Sequence, residues 1–425
     1  MSHRFIANYT RMTDPKFTEP RLAITLRVFL PFACGYFLSY LYRTVNAVIS
    51  PDLVSDLSLD ATDLGLLTSM YFLTFAAFQL PLGMLLDRFG PRRVEAVLLL
   101  FAAAGAACFA LSARLEGLIV GRALIGFGVS ACLMASFKAF VVWFPPQRWP
   151  AVNGWVMAAG GLGALTATAP VELALGFTDW RGLFLGLSLA TLAVAALIFL
   201  VVPEHTGPVQ RESFRAQWRG VGEVFANRYF WRVAPITTFS QAAYLSIQGL
   251  WAGPWLRDVA GLERAVAANH LLAIAAAMVA GYLIMGNLAY RLARFGIQPI
   301  TVAVTGMAIF VLIQAAIILG FIVSPLVIWI AFGFFGTSGI VAYAGLSQAF
   351  PTHLAGRVNT GINLLVFVVA FAGQWGIGAI INLWSVEAGS YHPSGFQAAF
   401  GLVFMLQAGA LAWYLLSGYL ARHRP

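Results

Sequence analysis

Apolar residues in this chain fall in long unbroken runs, without the alternation of a half-buried strand or the narrow stripe of a surface helix. The runs cover residues 23–50, 64–86, 94–113, 117–141, 151–173, 183–202, 232–256, 266–288, 299–322, 326–349, 360–383 and 396–419. Each holds about twenty residues or more, enough to carry a helix across ~30 Å of hydrocarbon. Helix is the required form, because an open strand in lipid leaves its backbone groups unpaired. The pattern therefore predicts an all-α membrane protein with twelve transmembrane helices.

The separators between runs carry a second pattern. Phe144-Pro145 is followed after six residues by Val152-Asn153-Gly154, and Phe350-Pro351 after the same six by Val358-Asn359, then Thr360-Gly361. Each copy sits at the same ordinal place in its half, so the second half is read as a structural repeat of the first. The expectation is two pseudo-symmetric six-helix bundles, residues 23–202 and 232–419. A charged cytoplasmic linker at 203–231 joins them, and short cytoplasmic tails stand at 1–22 and 420–425. The linker contains Pro203, Pro208, Arg211, Glu212, Arg215, Arg219 and Glu223, and is expected to hold a short amphipathic helix. Duplicated helix bundles are the form of many transporters, with the solute site between the halves.

Composition and charge sharpen this picture. The chain is 60% hydrophobic and 10% charged, where soluble domains carry about a quarter charged residues. Of its 26 Lys and Arg residues, Arg114, Arg181, Arg257 and Arg264 alone fall in the odd-numbered loops, so both termini are placed in the cytoplasm, across a bacterial inner membrane. The first outer loop is acidic, with Asp52, Asp56, Asp60 and Asp63. Net charge +9 on a protein of this shape meets lipid headgroups rather than nucleic acid. The first 22 residues lack an apolar signal core, so the first run is read as retained. Cys34, Cys108 and Cys132 lie inside apolar runs without metal spacing and are read as small buried hydrophobes. No nucleophile–base set or nucleotide loop appears, so neither enzyme activity nor a cofactor is expected.

Polar residues inside the runs mark the candidate path. In the seventh run Gln241, Tyr244, Gln248, Trp251 and Trp255 step by three and four, and share one helical face. Amides and a phenol facing lipid cost free energy, so this face lines protein or water. The competing structural reading is interhelical hydrogen bonding, with Trp255 at the interface. The first run offers Tyr36, Tyr40, Arg43 and Asn46. An unpaired guanidinium at that depth costs from ~3 kcal/mol to more than 10, so Arg43 faces water, a solute or helix carbonyls. Arg122 lies at similar depth in the fourth run. Lys138, near the inner end, is expected to snorkel to headgroups. Asn359, Asn363 and Gln374 in the eleventh run are placed to meet the amides of the seventh, and Tyr343 and Ser347 in the tenth are weaker candidates. Among acids, Glu172 is near the outer end of its run and Glu95 at the cytoplasmic start of the third. That leaves His270 as the intramembrane titratable candidate and proton coupling undecided.

The layout of six helices, charged linker and six helices resembles the major facilitator superfamily. Gly83-Met84-Leu85-Leu86-Asp87-Arg88-Phe89-Gly90-Pro91-Arg92-Arg93 is similar to that family's cytoplasmic loop signature. The resemblance implies gating roles for Asp87, Arg88 and Arg92, with Asp87 bridging to the other half at a helix N-terminus. A worn copy, Gly286-Asn287-Leu288-Ala289-Tyr290-Arg291, has Tyr290 in place of the acid. Gly121-Arg122 with Gly126 and Gly128 resembles the family's helix-4 arginine motif, and Gly160-Gly161-Leu162-Gly163 with Pro170 its glycine-rich helix 5. The resemblance implies alternating access around a central site.

Solute class is less constrained. The stretches Tyr42–Leu53 and Trp251–Asp258 resemble a bacterial branch of the family containing riboflavin transporters and a copper importer. Copper(I) needs soft sulfur ligands, yet Gln241, Leu245, His270 and Ile274 stand near the places of that importer's ligands, so copper import is disfavoured. Aromatic and amide faces fit a flat heterocycle such as riboflavin, ranked first. A small organic anion is second, favoured by two cations in the cavity, Arg43 and Arg122. Drug or metabolite efflux is third, and a membrane receptor is the alternative of another class. The expected partners are a small-molecule solute and membrane lipid, with the chain working as a monomer.

Overall fold

The computed structural model describes residues 25–145, 148–204, 214–321, 324–351, 354–386 and 389–422. The expected tail at 1–22, the middle of the linker at 205–213 and the last residues, 423–425, lie outside them.

Among the described residues, nine helices are long and apolar enough to cross a membrane. Three more rods are each irregular partway along. The first, α1, runs Leu30–Thr44, loosens by one residue at Val45, whose backbone stays helical, and continues as Asn46–Leu57. A continuous run follows, Ala61–Leu111, which bends at Gly90; we number its arms α2 (61–89) and α3 (91–111). Then come α4 (Leu115–Trp143), α5 (Trp149–Thr166 and Ala169–Ala174) and α6 (Trp180–Val201). A linker helix, Phe214–Ala226, leads to α7, which runs Arg228–Ser246, widens into a π turn at Ile247–Trp251 and ends as Ala252–Asp258. The second half closes with α8 (Arg264–Ala293), α9 (Pro299–Ile318), α10 (Pro325–Gln348), α11 (Ala355–Ile381) and α12 (Pro393–Arg422). The twelve rods form two six-helix bundles.

Local chemistry sets these boundaries. Asp60 caps α2, accepting from the Asp63 backbone N–H at 2.8 Å while the Asp63 carboxylate accepts from Asp60 N–H at 3.5 Å, a reciprocal capping box. Asp179 caps α6 through Gly182 N–H at 2.8 Å, and Asn227 caps α7 through Tyr229 N–H at 2.8 Å. The α2–α3 corner falls at Gly90, whose φ of 78° suits a residue without Cβ.

The sequence repeat reappears as geometry. Arg148 N–H donates to Pro145 O at 2.9 Å and Leu354 N–H to Pro351 O at 2.8 Å, the same turn at equivalent places. Val45, where α1 loosens, and Trp251, which ends the π turn of α7, are separated by the same interval as Pro145 and Pro351. The duplication thus extends to the two irregular rods that open each half.

The halves meet along three seams. On the first, α2 lies against α11 so closely that a Cβ at Gly65 would stand 2.9 Å from Gln374 O, and one at Gly378 would strike Ala61 O. On the second, α5 meets α8 at Gly161 and Val279. The third joins α1 and α7 at Ala47 and Gly253. Here Pro51 has no N–H to offer Ala47 O, and Ser50 Oγ donates to that carbonyl at 3.4 Å. Close backbone approach is what holds helices together where lipid supplies no hydrophobic drive.

On the side away from the termini, the halves are also tied by charge. Arg264 of α8 grips Asp52 of α1 with two bonds, 2.8 and 2.7 Å, and reaches Glu172 of α5 at 2.9 Å. Asn382 donates to Asp60 at 3.1 Å. A cleft of about 420 Å³ lined by Asp52, Asp56, Glu172, Asp179, Trp180 and Arg264 opens at this end.

Candidate functional site

Two residues before Val45 in α1, Arg43 is buried in the seam between the halves. Its guanidinium carbon lies 4.5 Å from the centre of the Tyr40 ring, 5.8 Å from Tyr71, 5.5 Å from Phe75 and 5.4 Å from Phe367. The cage combines α1 and α2 of one half with α11 of the other. Arg122 of α4 sits on Tyr71 as well, at 5.3 Å, and donates to Tyr42 O at 2.8 Å. Ring faces attract a cation by about 0.5–2 kcal/mol each, yet they accept no conventional N–H···O bond from a group with five donors. The Nε atoms of both arginines have no hydrogen-bond partner among the described residues. No described carboxylate pairs with either guanidinium.

Phenols surround this cation. Tyr36 and Tyr40 pack edge to face at 5.2 Å. The Tyr36 hydroxyl points at Met157 Sδ on α5, 3.7 Å away. The Tyr40 hydroxyl lies 3.3 Å from that of Tyr282 on α8, a contact from one half to the other. On the far wall the Tyr343 hydroxyl donates to Asn363 Oδ1 at 3.2 Å. Asn46, just beyond Val45, donates to Thr68 Oγ1 at 2.9 Å and keeps a buried, unpartnered Oδ1.

The stripe on α7 is placed differently from the expectation that it faces the path. Gln241 donates to Gly336 O on α10 at 2.9 Å. Tyr244 is buried against Phe332 and Phe310, at 5.7 and 6.3 Å. Trp251 donates to Gln374 O on α11 at 2.9 Å, and Trp255 packs on Trp329 at 5.3 Å. These side chains fasten α7 to α10 and α11, since a buried amide or indole N–H needs an acceptor more than an open cavity. Gln248 is buried in the π turn. Gln374 donates to Ser246 O at 3.5 Å, with its Oε1 unpartnered. The amides of α11 were expected to meet those of α7; instead Asn363 meets Tyr343, and Asn359 accepts from Ser347 Oγ at 2.7 Å.

Two further expectations are corrected. Lys138 does not reach for headgroups: it pairs with Asp87, whose position on the α2–α3 arm brings the carboxylate within its grasp. The described partner of Asp87 therefore belongs to its own half. Beside it, Arg88 covers the Phe89 ring at 5.1 Å, while Arg92 donates to Phe199 O at 2.8 Å and lies 3.8 Å from Glu204. Glu95, read as a boundary residue, is fully buried, whereas His270 bonds its own helix at Val266 O, 2.8 Å, on an exposed face.

Tyr71, Phe75 and Phe367 of the cage, and Tyr282 beside it, are the residues that the polar pattern missed. Tyr71 and Phe75 stand one turn apart in the second run, and a tyrosine in mid-run at 282 was the available signal on α8.

The sequence profile of the Major Facilitator Superfamily matches residues 32–374. Among curated relatives, the uncharacterised transporter YybO of Bacillus subtilis is 32% identical over 35% of this chain and 34% of its own length. The probable sulfoacetate transporter SauU of Cupriavidus necator is 26% identical over 37% and 36%, and the hexuronate transporter of Bacillus subtilis 25% over 46% and 46%. The chain thus spans between a third and a half of the length of each. A bacterial homologue of the human lysosomal transporter Spinster shares the fold, with a TM-score of 0.73 at 17% identity over 93% of this chain and 97% of that one. With a family match over most of its length and that fold around a cross-lobe cage, the chain belongs to the Major Facilitator Superfamily.

Proposed function

We propose that this transporter carries a small organic anion, a carboxylate or sulfonate with hydroxyl groups, by alternating access. The halves at 23–202 and 232–419 rock about the cage, and the excess of basic residues on the terminal side sets that side in the cytoplasm. The observation that carries the reading is Arg43: a buried guanidinium, held by four rings from both halves, without a carboxylate partner among the described residues. An anionic oxygen pair supplies what rings cannot, charge together with acceptors for the fork of N–H groups. Tyr36, Tyr40, Tyr282, Tyr343 and Asn363 then offer phenol and amide contacts to the rest of the solute. The sulfoacetate and hexuronate transporters among the relatives support the same class. A flavin-like heterocycle has less to hold it, because Gln241 and Trp251 spend their donors on helix carbonyls and Gln374 offers one free oxygen.

The test is a binding screen of purified protein against hexuronates, short sulfonates and riboflavin, followed by counterflow in liposomes. An anion should bind and exchange. Arg43→Ala should weaken its binding about tenfold or more, since losing one partner of a buried charge pair costs about 2–5 kcal/mol. Riboflavin carried at equal rate by wild type and Arg43→Ala, with no anion bound, defeats the proposal.

A further inference from the structure

Arg264 and Glu172 line two spaces at once. Outward of them is the cleft of about 420 Å³. Toward the cage is a void of about 10 Å³, the room of about one water molecule, walled also by Ala47 of α1, Gly253 and Arg257 of α7 and Leu271 of α8. The Arg264–Glu172 pair is thus the partition between the open cleft and the seam of α1 and α7.

Behind that partition stands a second cation. Arg257 is half-buried on the last turn of α7 and forms no hydrogen bond or ion pair among the described residues, so its fork of donors is left to water. Its neighbour Asp258 accepts from the Tyr391 backbone N–H at 3.4 Å. Neither Asp258 nor Glu263, the acids of the same loop, lines the void; the acid that does, Glu172, belongs to the other half. Arg181, on the same side of the molecule, instead commits its donors to Ala110 O and Ser112 O at 3.1 and 2.7 Å.

Two guanidiniums on one small void repel each other, and Asp52 and Glu172 offset this only while the halves touch. Both arginines lie in the C-terminal half, and both carboxylates in the N-terminal half. When the halves part on this side, the carboxylates withdraw together and the arginines stay together. What remains is a pair of cations at the opening, suited to one carboxylate or sulfonate. No side chain caps the start of α8, which leaves its leading backbone N–H groups to favour the same charge. The way inward is short. Gly253 abuts Ala47 O, and a Cβ at Gly249, one turn deeper, would lie 3.8 Å from Arg43 O. The helix between Gly249 and Arg257 spans about 12 Å.

We propose that Arg257 and Arg264 form an outer docking site for the anion, where the solute takes the place of Asp52 and Glu172 and opens the way to Arg43. The site rests on the anion reading of the cage and adds an order of events to it. The anion enters the cleft, displaces the two carboxylates from Arg264, is shared with Arg257 and passes along the α1–α7 seam. Arg264 exchanges one anionic partner for another and is at no stage left bare.

Entry of labelled D-glucuronate into right-side-out membrane vesicles tests the site, beside equilibrium binding and melting of the purified full-length protein. Arg257→Gln should slow entry about fivefold at concentrations well below half-saturation. Its equilibrium affinity should stay within about twofold of wild type, because a group on the way in changes arrival and departure alike. Arg257→Lys, which keeps the charge, should recover most of the rate. Raising ionic strength should slow wild-type entry more than entry in Arg257→Gln. Entry in Arg257→Gln equal to wild type, with glucuronate still carried, overturns the docking site and leaves the anion reading standing. Affinity lost in proportion to entry makes Arg257 part of the cage and overturns it as well. So does a drop in melting temperature shared by Arg257→Lys, which marks a packing residue. If wild type carries neither glucuronate nor sulfoacetate, the anion reading falls and the docking site falls with it.

Discussion

A guanidinium inside a hydrocarbon slab needs acceptors for its donors, and the two buried arginines meet that need differently. Arg122 gives one arm to the Tyr42 carbonyl and is wholly enclosed, so it steadies α1 beside Val45. Arg43 lies among ring faces, with the Tyr71 side chain as its polar neighbour, and stands where both halves can reach it. The same reasoning divides the α7 stripe. Trp251 is fully buried with its N–H on Gln374 O, so Trp251→Ala should remove a helix tie and leave a large cavity, costing about 3–5 kcal/mol of stability. A fall in melting temperature in detergent, with solute affinity retained in the fraction that stays folded, is the expected result. Unchanged melting with lost affinity places the indole in the solute path instead. Arg43 was legible in the sequence because a charge in an apolar run has few innocent explanations. The direction of the α7 amides was not. A face that steps by three and four says which residues point together, and stays silent on whether a carbonyl or a void awaits them. Glu95 escaped for a related reason: close behind Arg92 and Arg93, it read as part of a charged border, and only the packing of Gly35 and Ile198 reveals its enclosure.

At the scale of elements, run length predicted the rods and their order well, while irregularities were invisible. The first, fifth and seventh runs look continuous in hydropathy, yet α1 loosens at Val45, α5 breaks at Ala167–Thr168 and α7 widens in the π turn 247–251. Pro51, Pro170 and Pro254 lie within a turn or two of these points, each removing a backbone donor. The loop joining α2 and α3 shows the limit of a motif. Its residues named the gate, but the partner of Asp87 depended on how α4 packs. Lys138 of α4 takes that carboxylate in the present conformation, at a partly exposed site where such a pair contributes at most about 1 kcal/mol. A bond this weak can be exchanged for another as the lobes move. Asp87→Asn should therefore slow solute counterflow several-fold while equilibrium binding stays within about twofold, because the change acts between states rather than at the cage. Loss of binding in a folded Asp87→Asn protein contradicts the gating role.

For the whole molecule, the far-side contacts decide which state is populated. Arg264 holds Asp52 and Glu172 of the opposite half, α2 and α11 lock through Gly65 and Gly378, and Asn382 reaches Asp60. Of the described ion pairs on the terminal side, Asp87–Lys138, Arg92–Glu204 and Arg93–Glu204 stay inside the N-terminal half and Arg219–Glu223 inside the linker helix. The molecule is thus clasped on one side by bonds that must break for the cycle to proceed. Arg264 is about a third exposed, so solvent screens its pairs. After that discount its removal is worth about 1 kcal/mol, roughly a fivefold shift in population toward the far-side-open form. The shift should appear as faster alkylation of a cysteine placed at Ala47, at the seam that the clasp covers, in Arg264→Ala relative to the parent carrying the same cysteine. Raising ionic strength should shrink the difference, because salt already weakens the clasp in the parent. Equal alkylation rates at low salt show that the close backbone seams, and not Arg264, hold that side shut. The gate then has to be sought in the glycine contacts of α2 and α11.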